Sequence, residues 1–421
     1  MPLAREIVIT GLGVVSPIGV GQQAFWTSLL SGRSGVGPIS QFDASAVPIP
    51  FGGEVRQFDP KEFVKPRKSL KVMAREIQFG FAAAGMAYED AGLTQQSADP
   101  DRIGVILGTD LIQGQPEDVA QAFRRSQVDG RFQFSLWGPS AMAEIYPLWM
   151  LKYLPNMPAC HVAIALDARG PNNTHALGEV SSLLAISEAV RVLERGAADV
   201  MLCGGTGSRL NPVIVIRSCL TEVSRRAAEP ERACRPFDAE RDGQVNGEGA
   251  AVFVLETREH ALARGARIRA RVLGYGCAFA PAGDGPGAAS GIEASIRQAL
   301  AMASCAPHDV GHVNAHGIST QSGDRLEAQA IRAVLGDVPV TAPKSYFGNL
   351  GSGTGAVEAV ASVLALEQGL VPATLNYEKP DPRCPVNVIR SQPLSGPQRA
   401  ALLLNQSPMG QAAALLLGRE A

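Results

Sequence analysis

Short β-branched and aliphatic runs alternate with Ala/Leu-rich stretches of helical length along the whole chain, and this alternation constrains the fold more than any other feature. Strands are predicted at Ile7–Thr10, Ile103–Leu107, Asp199–Cys203, Ala251–Glu256, Val310–Asn314 and Ala400–Asn405. Helices are predicted over Met73–Ala91, Val180–Arg195, Gly291–Ala303, Arg325–Leu335 and Gly355–Gln368, with small or apolar residues recurring at helical spacing. Such a pattern builds parallel sheets covered by helices, an α/β architecture. The pattern also echoes itself. DRIGVILGTD (101–110) follows a helix in the first half as HDVGHVNAHG (308–317) does in the second, and AADVMLCGGTG (197–207) parallels RAALLLNQSPMG (399–410). Each half then reads as one copy of the same strand–helix unit, with a seam near residues 257–270. The expected division is an N-terminal half, 1–256, and a C-terminal half, 257–421. Phe58–Ser69 and Arg124–Pro158 fit neither copy and read as insertions, the second rich in Trp, Tyr, Met and Pro.

Charge and cysteine usage narrow the function classes. Among 421 residues, 38 Lys and Arg face 40 Asp and Glu, a formal net charge of −2. A nucleic-acid binder would show a basic excess, so no nucleic-acid partner is expected. No uninterrupted apolar window reaches the roughly 18 residues of a membrane span. Arg5 and Glu6 break what would be the apolar region of a signal peptide, so the opening reads as strand and turn and a cytoplasmic location is expected. The seven cysteines include no C-x-x-C pair, which points to reduced thiols rather than a disulfide framework or a zinc site. His308, His312 and His316 are four apart but lie across a strand containing Gly311, so no metal is expected, and no cofactor either.

Four segments carry candidate chemistry. RPFDAERDGQVNGEGAAVFVLE (235–256) is a charged loop with glycine-permitted turns before a buried strand. In NAHGISTQSGDRLEAQA (314–330) a strand ends at His316, and Asp324 and Glu327 open the next helix. The carboxyl end of a strand is where α/β proteins build their sites. APKSYFGNLGSGTGAVEA (342–359) joins a lysine to a glycine-rich turn that opens a helix, without the G-x-x-x-x-G-K-[ST] order of a phosphate loop. GPNNTHALGEVSSLLAISEAVRVLERGAADVMLCGG (170–205) completes the set.

Together with the opening REIVITGLGVVSPIG and KVMAREIQFGFAAAGMAYEDAGL, these segments resemble the β-ketoacyl-acyl-carrier-protein synthases, the ketosynthases of the thiolase fold, over practically the whole chain. The resemblance implies a five-layered αβαβα fold from two duplicated halves, agreeing with the internal echo. It also implies decarboxylative Claisen condensation. A cysteine at a strand-to-helix turn takes the acyl chain as a thioester, activated by the positive end of its helix, and two histidines stabilise the thioester oxygen and the malonyl-derived enolate. A lysine and an acidic residue support them. His316 matches the first histidine, Lys344 the lysine, Asp324 and Glu327 the acidic positions, and Glu358 the helical glutamate beyond the glycine turn.

The departures are more telling. Where the family reads T-A-C-[AS]-[ST]-G this chain reads LGEVSS, which puts Glu179 at the nucleophile position. Asn349 replaces the second histidine, and the family's gating loop N-S-F-G-F-G-G-T-N becomes NQSPMGQAA, carrying Asn405, Ser407, Met409 and Gly410. Acylated glutamate would be a reactive anhydride. A fixed carboxylate charge about 4 Å from a developing enolate costs roughly 4 kcal/mol at an effective dielectric near 20, close to a thousandfold in rate. Three readings of Glu179 stand open: a structural carboxylate paired with Lys344 or His316, an acid or base, or a contact in partner communication.

Ketosynthase-like subunits lacking the cysteine include the chain-length factors of type II polyketide synthases, which pair with an active ketosynthase and shape its tunnel. The resemblance thus implies a non-condensing subunit of a fatty-acid or polyketide synthase. It would work with acyl carrier protein, as a homodimer or as a heterodimer with an intact ketosynthase. The alternative is an enzyme on acyl- or malonyl-carrier thioesters, an acyltransferase or decarboxylase with a modified site.

Overall fold

The structure, a computed structural model, describes residues 2–94, 97–281 and 289–420. The first half supplies strands β1 (Ile7–Ser16), β2 (Ile103–Gly108), β3 (Asn172–His175), β4 (Val200–Ser208) and β5 (Glu248–Thr257). Its principal helices are α1 (Arg75–Asp90), α2 (Met157–Leu166) and α3 (Ser181–Glu194). The second half supplies β6 (Ala270–Phe279), β7 (His312–Asn314), β8 (Pro339–Thr341), β9 (Asn387–Val388), β10 (Ala400–Gln406) and β11 (Gln411–Arg419), with α4 (Ser290–Ala303), α5 (Gln321–Leu335) and α6 (Thr354–Gln368).

The strands run in the order β9-β8-β7-β10-β11-β6-β1-β5-β4-β2-β3. Outward from the central β6–β1 contact, the first half reads β1-β5-β4-β2-β3 and the second β6-β11-β10-β7-β8. With the two-residue edge strand β9 set aside, that is the same order counted along each half, which is the internal echo made visible. The sheets are mixed, not purely parallel as the alternation predicts. The pairs β2–β4, β2–β3, β7–β10 and β7–β8 are parallel. The central pairs β1–β5, β4–β5, β6–β11 and β10–β11 are antiparallel. A tight four-residue turn at 407–410 joins β10 to β11, and so short a connection can only join antiparallel neighbours.

Three hydrophobic clusters stack these elements into five layers. One joins α1 and α2 to the outer face of the first half-sheet, one joins α4 and α5 to that of the second, and the largest holds α3 and α6 between the two. Every residue from Thr354 to Leu366 of α6 is buried, which suits a helix surrounded on all sides rather than an amphipathic one. Backbone contact sets the packing at the centre. A Cβ on Gly205 would come within 2.4 Å of Ser352 O, one on Gly207 within 2.4 Å of Leu350 O, and one on Gly353 within 2.4 Å of Gly249 O. The turn that opens α6 therefore lies directly on β4 and β5.

The predicted insertions have structure of their own. Phe58–Ser69 contains a short helix, Pro60–Phe63, and the start of a 3-10 turn, Arg67–Val72. Arg124–Pro158 contains a hairpin (Gln127–Val128, Arg131–Phe132), the helix Phe134–Glu144 and a 3-10 turn, Trp149–Tyr153. Its aromatic and apolar residues are largely exposed: Phe134 is 81% exposed and Met142 88%. No helix among the described residues is long and apolar enough to cross a membrane.

One fold-level group couples stability to acid. His312, in β7, is fully buried with Nδ1 3.2 Å from Gln398 Oε1, and burial pulls its pKa down to about 4. The unfolded chain, with an ordinary imidazole, binds the proton first, so stability is intact above about pH 6.5 and is lost as pH falls toward 4. The shift corresponds to about 3 kcal/mol. Urea titrations at pH 7, 5 and 4 should show this component in the wild type and lack it in His312→Gln; equal acid sensitivity of the two proteins refutes it.

Candidate active site

The N-termini of the two central helices meet, and the candidate residues gather around that meeting point. Ala356 N bonds Ser182 Oγ at 3.0 Å, and Ser352 Oγ bonds Gly178 O at 3.0 Å. Two hydrogen-bonded groups flank this junction, with no direct hydrogen bond between them among the described residues.

The first group contains the residues that match the family. Lys344, 1% exposed, donates to Glu358 Oε1 at 2.7 Å and to His316 O at 2.5 Å, and lies 3.1 Å from His316 Nδ1. Asn405 Nδ2 bonds Glu358 Oε2 at 2.9 Å and lies 3.4 Å from the same Nδ1. Burial, and then the Lys344 charge, hold His316 well below its ordinary value, so the ring is neutral. Both neighbours of Nδ1 are donors, which leaves the ring hydrogen on Nε2. Burial raises the Glu358 carboxyl, with Lys344 and Asn405 opposing the rise.

Asp324 and Glu327 hold the loop rather than reach the lysine. Glu327 accepts from His316 N and Gly317 N at 2.7 and 2.8 Å, and burial pushes its pKa up to about 8. Asp324 accepts from Phe237 N and Ser319 N at 2.8 and 2.9 Å and lies 3.5 Å from Arg241; burial pushes it up to about 6. Arg241 in turn bonds Asp381 at 2.7 Å, so the charged loop 235–243 is a buried clamp on the His316 turn.

The second group holds the departures. Glu179 lies in the 3-10 turn Gly178–Val180 that enters α3 and is 4% exposed. Its expected partners, Lys344 or His316, are corrected by the structure: Lys344 is already satisfied by Glu358, and Glu179 Oε1 instead meets Arg209 Nη1 at 3.2 Å and Asn349 Nδ2 at 3.0 Å. The lone-charge penalty is corrected with it, since the guanidinium compensates the carboxylate. Asp110 completes the group. Its Oδ2 takes the Ser352 N–H at 2.9 Å, and burial followed by the Glu179 charge raises its pKa. Sequence reading missed both Arg209 and Asp110. The signal was present, because each falls just beyond a strand's carboxyl end, β4 for Arg209 and β2 for Asp110, the same placement that singles out His316.

The four gating-loop positions separate. Asn405 is the penultimate residue of β10 and lies buried in the first group, not in a loop. Ser407, Met409 and Gly410 form the β10–β11 hairpin tip, where Ser407 N bonds Gln411 O at 2.9 Å and Gly410 N bonds Ser407 O at 3.0 Å. Ser407 Oγ also bonds the Gln411 side chain, and Met409 is 70% exposed.

Fold and site together define a thiolase-type scaffold with a buried histidine–lysine–glutamate network and a carboxylate at the turn that enters its central helix. Residues 4–261 match the model "Beta-ketoacyl synthase, N-terminal domain" and residues 269–378 match "Beta-ketoacyl synthase, C-terminal domain". The chain is 37% identical over 399 residues to the 3-oxoacyl-[acyl-carrier-protein] synthase 2 of Synechocystis sp., covering 92% of each. Among solved structures it is similar to the ishigamide ketosynthase/chain length factor (TM-score 0.87, 30% identity, 99% of this chain and 100% of that one). It is also similar to a ketosynthase bound to the hexaketide and in complex with its type II PKS acyl-carrier protein (TM-score 0.85, 30% identity, 100% of each). The chain belongs to the β-ketoacyl synthase family.

Proposed function

We propose that this chain is a non-condensing, chain-length-factor-like subunit of a type II fatty-acid or polyketide synthase, acting beside an intact ketosynthase. The observation that carries this reading is Glu179, buried at the nucleophile turn and bonded to Arg209 and Asn349, where condensation needs a thiolate and a second imidazole. Two surfaces support it. Strand β3 ends the sheet with one edge unpaired among the described residues, and beside it in sequence stand the exposed apolar residues Ile164, 78% exposed, and Leu177. An unpaired edge with apolar surroundings is a site for strand pairing with another subunit, and the similarity to a ketosynthase/chain length factor supports a ketosynthase-fold chain as its occupant. In addition Lys61, Lys65, Arg67, Lys68 and Lys71 are exposed, and Lys65, Arg67, Lys68 and Lys71 make no ion pair among the described residues. Such a basic segment suits an acidic carrier protein bearing a phosphopantetheinyl acyl chain.

Co-expression with an intact ketosynthase from the same source is expected to yield a one-to-one complex with higher condensing activity than the ketosynthase alone. Recovery of homodimers only, with unchanged activity of the mixture, sinks the proposal. The intact His316–Lys344–Glu358 network favours one second reading, decarboxylation of malonyl-carrier thioesters. Carbon dioxide release by the purified chain, abolished by His316→Ala, would establish it instead.

A further inference from the structure

Arg209 and Asn349 converge on a single oxygen, Glu179 Oε1, and both are held in place by groups other than that carboxylate. Arg209 Nε donates to Asn246 Oδ1 at 3.3 Å. Asn349 Nδ2 also donates to Gln244 Oε1 at 2.8 Å, while its Oδ1 accepts from Gly351 N at 3.0 Å and Thr354 Oγ1 at 3.3 Å. Asn349 is 1% exposed, so its amide is oriented by the fold before any anion arrives. The carboxylate also sits at the entry to α3, a helix of 14 residues, whose first turn contributes positive potential. Asp110, the other carboxylate near Arg209, makes no hydrogen bond to it among the described residues and has its Oδ2 bound to Ser352 N at 2.9 Å.

We propose that Arg209 and Asn349 form a carboxylate-binding cradle, that Glu179 fills it from within the chain, and that a small free monocarboxylate takes it when the Glu179 side chain is removed. A guanidinium and an amide N–H aimed at one oxygen form charge-assisted bonds that recognise a carboxylate and not a thioester. The built-in occupant keeps that position closed to other acids. The inference concerns the cradle alone and stands whether or not the chain pairs with a ketosynthase.

Thermal unfolding of the full chain tests it, with acetate compared against chloride at equal ionic strength. A ligand at free concentration L that binds only the folded state stabilises it by RT ln(1 + L/Kd), so Tm keeps rising with the logarithm of ligand concentration above Kd. Glu179→Ala is expected to show an acetate-specific rise of several degrees that grows with the logarithm of acetate concentration. The wild type, already occupied, and Glu179→Ala/Arg209→Gln, lacking the guanidinium, are expected to respond to acetate as they do to chloride. A Glu179→Ala protein no more responsive than wild type, or one that keeps its response without Arg209, overturns the proposal. If Glu179→Ala does not fold, Glu179→Cys gives an independent reading. A thiol beside the cradle should be alkylated by iodoacetamide with a midpoint below the ordinary value of about 8.5. Adding Arg209→Gln should move that midpoint upward, and a midpoint indifferent to Arg209 overturns the assignment.

Discussion

Lys344→Met is expected to cost about 3–5 kcal/mol of folding stability, the range found when one partner of a buried ion pair is removed. The ammonium is 1% exposed and bonds Glu358, His316 O and the His316 ring at once, so methionine leaves a buried carboxylate and a buried carbonyl without their donor. A natural domain has roughly 5–15 kcal/mol in total, so the loss should be plain in a urea titration. Lys344→Met/Glu358→Gln should recover most of it, because the glutamine carbonyl can still accept from Asn405 Nδ2 while no charge is stranded. A single variant within about 1 kcal/mol of wild type, below the cost of stranding any buried polar partner, would show that the pair carries no such weight.

Glu179→Cys is expected to be acylated by acyl-carrier thioester where the wild type is not. The wild type is expected to show no covalent adduct by intact mass after incubation with acyl-carrier thioester, because the carboxylate is held by Arg209 and Asn349 and its acylation product would be an anhydride. The introduced thiol stands at a helix entry near a guanidinium, conditions that favour thiolate. Loading should appear, yet condensation should stay about a hundredfold or more below that of Glu179→Cys/Asn349→His. Asn349 Nδ2 is a neutral donor, and loss of one oxyanion-stabilising group typically costs about that factor. Loading of the wild type, or a single variant within tenfold of the double one, contradicts this account.

The two halves were legible because strand order is written in recurring local patterns. Ile103–Leu107 and Asp199–Cys203 are β-branched or sulfur-containing runs with charged or glycine ends, and the structure extends them by one and five residues to Gly108 and Ser208. Strands β6 and β11 were not legible. RVLGYGCAF is interrupted by glycines, and QAAALLLGR has the Ala/Leu composition of a helix; only pairing with each other and with their neighbours makes them strands. The site divided the same way. His316, Lys344 and Glu358 follow from motifs, and so does the oddity of Glu179. Its true partner does not, because Arg209 comes from a different strand end and the choice between Arg209 and Lys344 is decided by which cation Glu358 has already taken.

The flush seating of the α6 entry turn on β4 and β5 separates two kinds of freedom in the history of such a scaffold. Side chains at the meeting of the helices can differ, since a carboxylate and an amide are seated there without disturbing the surrounding layers. Gly205, Gly207 and Gly353 cannot, because each stands where an added methyl would strike a carbonyl oxygen at 2.4 Å. Side-chain chemistry at the junction is therefore free to change while the backbone seating is not, so such a scaffold holds its form more tightly than the groups it carries.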